Sequence, residues 1–543
     1  MAQFSLHAYD ADVWLNEFKG LNQANVNMNA DIRYAAEEYN VETKDGVLQP
    51  QAAMSMLQGN FESRVETLAA FHRRWYQGAG SKNWYVCAAG GKLYQKQEGE
   101  HGQWAEIDLP EGVSSFACDV WSWVTYEINP EGVDYTIDVL LISNAQDGMF
   151  MVIPPDMPTT WNLVKQRTWG TVKTDTWGET VSEQWTIAPV DTRADPTDDT
   201  EPQKKFGVIE RYAERIWGTG VPGEPDTLYY SRAYYPDNWT PDAVDPANGA
   251  GEVKQPSWDG DQFYALRRFG DQLLAFKKNR IWRVLGVSPG EYTFQEQFAE
   301  GTEYFNTIAV IEERVFMAGR NGLSVYDGMS SSPYAREQVE QIWKTVNVAA
   351  LDQMCATFFK NRYYLSFPTG DSTVNNAVLV YNMIEGTILF YKGFYIESFL
   401  PANEKLFATS SSIPGRIIDL RYDSWAEGAA SGAACKWVTP WIDFGYKRIV
   451  KGGFDFYFLP EVKDDPVTMT ISIQTEKKTK TKDYTVQPLS ESDRLIGKEH
   501  KMKRLHFGGS GRKFRFVIET AQGVTAPWRI IGGLQVVVET DPD

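Results

Sequence analysis

IAVIEERVFMAGRNGLSVYDG, residues 308–328, is the stretch whose reading decides the fold. It runs as an apolar strand, a charged turn at Glu312-Glu313, a second apolar strand, a turn ending in Gly322, and a third strand. Short apolar runs punctuated by Gly, Asn or charged residues are the signature of antiparallel strands joined by tight turns. The phrase returns at 264–286 as YALRRFGDQLLAFKKNRIWRVLG, opens again at 355 as CATFFKNRYYLSFPTG, and runs at 398–420 as SFLPANEKLFATSSSIPGRIIDL. Starts spaced by roughly 45 residues match the period of a four-stranded propeller blade.

Working outward, similar units begin near 69, 113 and 208. The expectation is an all-β chain with a β-propeller over 61–425, six blades favoured and seven possible. The rhythm breaks at an inserted loop region near 158–206, which ends in the polar DTRADPTDDTEPQKK. Residues 1–60 read as a leader that contributes to propeller closure. Within it, ADIRYAAEEYN (30–40) suggests a short helix, and VETKDGVLQPQAAM (41–54) a hairpin turning at Asp45-Gly46. After an Ala/Gly/Ser linker (422–435) the strands lengthen and alternate, as in TMTISIQT (468–475) and KFRFVIET (513–520). Alternation implies one wet face. A second domain, a β-sandwich or jelly-roll-like platform, is therefore expected over 433–543. Its GGSGR (508–512) reads as a hairpin between two strands, with no helix N-terminus to offer a phosphate.

The chain has 543 residues and a formal net charge of −19. Residues 433–543 carry 18 Lys and Arg against 14 Asp and Glu, leaving 35 against 58 on residues 1–432. An acidic body with a slightly basic end lacks the basic stripe of a nucleic-acid reader. The 19 Trp suit strands and wide contact surfaces. No signal peptide and no apolar run long enough to span a membrane is visible, which points to folding in cytoplasm.

Catalytic signals are weak. Cys87, Cys118, Cys355 and Cys435 are far apart and none is in a CxxC, so neither zinc nor a disulfide framework is indicated. None of the five His is paired with a second His or Cys at ligand spacing, and HExxH, GxSxG and Walker-type motifs are absent. No catalytic, cofactor-binding or metal-binding residue is expected, and no enzyme. SWDGDQF (257–263) offers Asp259 and Asp261 as the only carboxylates worth naming for a glycan-hydrolysing propeller. A solvated loop is the favoured reading of them, since pairs of carboxylates occur by chance among 72 Asp and Glu. The strongest charge pattern is basic: TEKKTKTKDY (475–484), KEHKMKR (498–504) and GRKFR (511–515). Lys477, Lys478, Lys480, Lys482, Lys501, Lys503, Arg504, Arg512 and Lys513 are the candidate assembly interface. The alternative for them is solvated lysines that guard β-edges against aggregation.

Four phrases carry a resemblance: KDGVLQ (44–49), RIWGTGVPGEPDTLYYSRAYYPDNW (215–239), RVFMAGRNGLSVYDG (314–328) and the terminal WVTPWIDFGYK (437–447). In this order the chain resembles a family of bacteriophage tail proteins that form the nozzle or hub ring, or lie near the tail tip. The resemblance implies a propeller plus a platform domain, in a homo-oligomeric and usually hexameric ring around the DNA exit channel. Such a ring contacts portal or adaptor proteins and tail fibres or spikes. Double-stranded DNA passes through without specific binding, which an acidic body favours, since phosphate contacts by Lys and Arg would give sequence-independent affinity. The implied location is the virion tail, assembled in host cytoplasm. The alternative of another class is a carbohydrate-binding or glycan-hydrolysing tail propeller that recognises a receptor.

Overall fold

The part of the leader from Lys19 to Met56 runs between two all-β bodies and is bonded to both. The computed structural model describes residues 3–541 except 8–9, 26–30, 57–58, 60, 75–80, 100–103, 129–136, 155–156, 159–180, 183–184, 298, 444–449 and 496. Much of the inserted region near 158–206 thus lies outside the described residues.

The first body is propeller-like. Among the described residues it holds seven four-stranded antiparallel sheets, at 65–107, 122–189, 208–254, 263–297, 309–333, 355–392 and 396–420. The sequence reading favoured six and allowed seven. The insertion that obscured the count falls inside the second sheet, between its third strand, Gly148–Ile153, and its fourth, Thr186–Pro189. Six sheets are simple meanders. The seventh takes its fourth strand from the leader: Ser55–Met56 pairs with Ile417–Leu420, Met56 opposite Ile418.

Each successive pair of sheets shares an apolar cluster. Phe71 and Trp84 of the first sheet meet Leu140 and Phe150 of the second. Leu274 and Phe276 of the fourth meet Val315 and Met317 of the fifth. Leu400 and Phe407 of the seventh return to Leu68 and Cys87 of the first, which closes the circuit. Middle strands are therefore covered on both faces. Arg362–Phe367 and Ala377–Asn382 are buried along their whole length, which is why these strands read as continuous apolar runs rather than alternating ones. Each buried Leu, Val or Phe contributes about 1.5–3 kcal/mol.

The second body is two five-stranded sheets. One runs Gln3–His7, Asp10–Leu15, Trp528–Asp541, Val450–Val462, Lys503–Gly511; the other runs Thr479–Val486, Val467–Thr475, Phe514–Thr520, Cys435–Val438, Glu37–Tyr39. Their inner faces meet in one apolar cluster. Phe456 stands 5.7 Å from Phe516, and Phe454 5.0 Å from Phe514. Here one face is wet, so VTMTISIQT alternates.

Two local expectations are corrected. Residues 30–40 contain strands Tyr34–Ala35 and Glu37–Tyr39, not a helix. Pairing of Glu37–Tyr39 with Cys435–Val438 overrides the helical preference of Ala and Glu. GGSGR is not a hairpin: Gly508–Gly511 end a strand of one sheet, and the chain crosses at Arg512-Lys513 to Phe514–Thr520 of the other. A Cβ on Gly511 would stand 2.7 Å from Thr475 Cβ, so this close crossing needs glycine. The 41–54 hairpin is present, with Val41 opposite Pro50 and Asp45 and Gly46 at positive φ in the turn.

Asn40 fastens the two bodies. Its side-chain oxygen accepts from Lys392 N at 2.8 Å, and its own N–H donates to Phe390 O at 2.9 Å, both in the sixth sheet. Its Nδ2 donates to Ala434 O at 2.8 Å, at the start of the second body. Asn40 has φ of 58°, a conformation Asn tolerates better than most residues.

Candidate functional site: a lysine-lined seam between two sheet edges

Thr479–Val486 is the terminal strand of its sheet, and Lys503–Gly511 is the terminal strand of the other, on the same side of the body. The hairpin register sets which way each lysine faces. Lys480 lies opposite Ile473 and Lys482 opposite Ile471, both core residues. Directly opposed residues share a face, so Lys480 and Lys482 stand on the inner face, at the open rim of the core. Lys482 Nζ lies 5.6 Å from the centre of the Phe507 ring on the facing edge. Lys503 lies opposite buried Phe458 and so also stands on the inner face, at the far end of its strand.

At the hairpin tip, Thr475 Oγ1 accepts from Lys478 N at 3.1 Å and fixes the turn that carries Lys477 and Lys478. Beyond Lys482 the two edges part. Phe454 and Ile473 form the floor of a groove, Lys477, Lys478 and Lys480 one wall, and Gly508, Gly509 and Ser510 the other. It encloses about 300 Å³. Glu476, beside the hairpin tip, accepts from Arg512 N at 2.7 Å and Lys513 N at 3.2 Å. Burial raises its pKa, but backbone N–H bonds, with the nearby Lys477 charge, outweigh it and hold the carboxyl below its ordinary range. The carboxylate therefore stays ionised yet committed to backbone. Among the described residues, Lys477, Lys478, Lys480 and Lys482 form no ion pair.

The other candidates are placed differently. Arg504 donates to Asp455 at 2.6 Å on the outer face, beside His506. The Arg504 bond holds the Asp455 carboxyl below its usual range. Lys513 lies 4.8 Å from the Trp441 ring centre, next to Arg515. Arg512 sits at the crossover, and Lys501 is exposed ahead of its strand. One patch predicted from sequence thus resolves into a seam of four lysines, with Lys503 at its far end, and separate outer and crossover groups. The floor residues Phe454 and Ile473 and the Gly508–Ser510 wall are not legible in the sequence, where GGSGR reads as a hairpin between two strands. The in-phase spacing of Lys480 and Lys482 with Ile471 and Ile473 was the available signal.

The carboxylates considered for glycan chemistry are committed to structure. Asp261 accepts from Lys278 N at 3.0 Å and Asn279 N at 2.8 Å, and is buried. Asp259 Oδ1 accepts from Asp261 N at 3.2 Å, and Asp259 pairs with Arg280 at 3.4 Å. Both tie a loop to its sheet. Cys87, Cys355 and Cys435 are buried, and burial pushes the Cys435 thiol up to about 11, which leaves it a poor nucleophile. Among the described residues no group of three His, Cys, Asp or Glu is placed to hold a metal, and no helix is long and apolar enough to cross a membrane.

No family model matches the chain, and no curated protein is similar to it. Among solved structures it is similar to the CNH domain of AfRom2, at 7% identity and TM-score 0.36, over 69% of this chain and 99% of that domain. It is also similar to the extracellular domain described as that of a hybrid two-component system from B. thetaiotaomicron, at 9% identity and TM-score 0.40, over 92% of this chain and 66% of that one. Likeness at this distance carries no functional argument.

Proposed function

We propose that this chain is a non-enzymatic structural protein of a tailed-bacteriophage virion, a ring-forming tail component surrounding the DNA exit channel. On this reading the seven sheets are the blades of one closed propeller, the two-sheet body is a β-sandwich platform, and the leader locks one to the other. The ring, most simply of six copies, joins portal or adaptor proteins to fibres or spikes. The tail-protein phrases at 215–239 and 314–328 support the class. The observation that carries the assembly role is the seam: four lysines, without ion pairs among the described residues, line one edge of a groove on an otherwise acidic molecule. Oppositely charged faces steer and orient docking, and the acidic body disfavours adhesion of the DNA that slides past.

The test is assembly itself. Reversal of Lys477, Lys478, Lys480 and Lys482 to Glu lowers the yield of complete particles at least tenfold while the variant remains folded by circular dichroism. Normal particle yield from the folded variant counts against the role.

A further inference from the structure

Resting on that reading of the seam, we propose its occupant: an extended partner segment that alternates carboxylates with Thr or Ser and adds to Thr479–Val486 as a sixth strand. Three features of the edge select this chemistry. First, the outward side of Thr479–Val486 has no neighbouring strand among the described residues, so its N–H and C=O groups can template one more. Second, Lys480 and Lys482 occupy the inner-face positions of this strand, and the groove they border contains no competing carboxylate. Every second residue of an added strand faces this rim, and Asp or Glu there meets both ammonium groups.

Third, three of the four intervening positions, Thr479, Thr481 and Thr485, carry hydroxyls, and the fourth, Asp483, accepts from Thr470 Oγ1 at 2.7 Å. Thr481 and Thr485 hydrogen-bond across to Ser472 at 2.9 Å and Thr468 at 2.8 Å. A Thr or Ser on the added strand extends these hydroxyl pairs by one column. The glycine wall supplies room: at Gly508 a Cβ would meet nothing within 4 Å, and at Gly509 it would meet only Lys480. Lysines that merely guard an edge would repel an added strand of any sequence unless it carried negative charge. Charge alone would also attract an acidic chain, so binding that depends on the ladder N–H groups of the added strand is the property that separates recognition from protection.

The experiment uses the full chain and fluorescence anisotropy with a labelled (Asp-Thr)4 peptide. A labelled (Asp-Pro)4 peptide carries the same charge but has no ladder N–H at every second residue. The proposal expects saturable binding of (Asp-Thr)4, at least tenfold weaker binding of (Asp-Pro)4, and at least tenfold weaker binding of (Asp-Thr)4 to a folded Lys480→Glu/Lys482→Glu variant. Equal binding of the two peptides overturns it, because charge alone then suffices. So does unchanged affinity in the double variant, or tighter binding of a single-stranded oligonucleotide of the same charge. Self-association of the chain through the seam, competing with the peptide and abolished by the double variant, reassigns the seam to a second copy and also overturns it. Failure of peptide binding while lysine reversal still blocks particle assembly removes this occupant and leaves the assembly role standing.

Discussion

Glu38 and Glu42 lie four residues apart on the leader, both enclosed, and their partners differ. Arg362 holds Glu42 at 2.9 and 3.2 Å, and the Tyr391 hydroxyl donates to the same carboxylate. The Arg362 guanidinium also stacks 4.6 Å from the Tyr422 ring centre. Glu42 belongs to the leader and Arg362 to the sixth sheet, so the pair crosses the junction. Removing one partner strands a buried charge at a cost of about 3–5 kcal/mol, whereas replacing both by apolar groups is often near neutral. Arg362→Ala therefore destabilises strongly in urea melts, and an Arg362→Met/Glu42→Met double variant recovers most of the loss. A double variant as unstable as the single one contradicts the pairing.

Among the described residues, no cation pairs with Glu38. Burial, and then the nearby Glu42 charge, push its carboxyl well above the usual range. The folded chain thus keeps a proton that the unfolded chain releases as pH rises past about 4.5. Stability from this group is highest in acid and falls with rising pH. Glu38→Gln raises the melting temperature at pH 8 and changes it little at pH 4. An equal change at both pH values sinks this account.

At the scale of elements, glycines fix how long strands bend. Gly532 and Gly533, with φ of 66° and 77°, form a bulge where the register between Val450–Val462 and Trp528–Asp541 shifts. A Cβ on Gly533 would stand 1.7 Å from the Leu15 carbonyl oxygen of the neighbouring leader strand. Gly533→Ala combines positive-φ strain with this clash and costs about 2–4 kcal/mol. Limited proteolysis is the check: the variant is cut within residues 1–20 faster than the parent, and equal cutting rates contradict the fit.

Strands and turns were legible where their causes are local. The 308–328 phrase and the Asp45-Gly46 hairpin follow from strand preference and from turn residues that accept positive φ. Causes that lie far along the chain were not. Residues 30–40 look helical in isolation and become strands because Cys435–Val438 offers them an edge. Gly508–Gly511 look like a turn and are a strand end, because the sheet that receives the following strand cannot be read from the glycines. The lysines were legible as a charge cluster, and their division between inner and outer faces needed the hairpin register.

At the scale of the molecule, both chain ends converge on one construction. The first strands complete one sheet of the second body, Glu37–Tyr39 completes the other, and Ser55–Met56 completes the seventh sheet of the first body. A leader that closes two bodies in sequence makes their folding interdependent, and it holds the lysine seam in a fixed relation to the acidic circuit of sheets. On the proposed reading a ring subunit needs its two bodies held rigidly, because a heterologous contact closes only if each copy presents the same angle between its mating surfaces. The central claim is ring formation, and electron microscopy of the protein released from intact particles tests it most directly. The account predicts closed rings, most simply of six copies. Particles that contain the protein only as isolated single copies would contradict it.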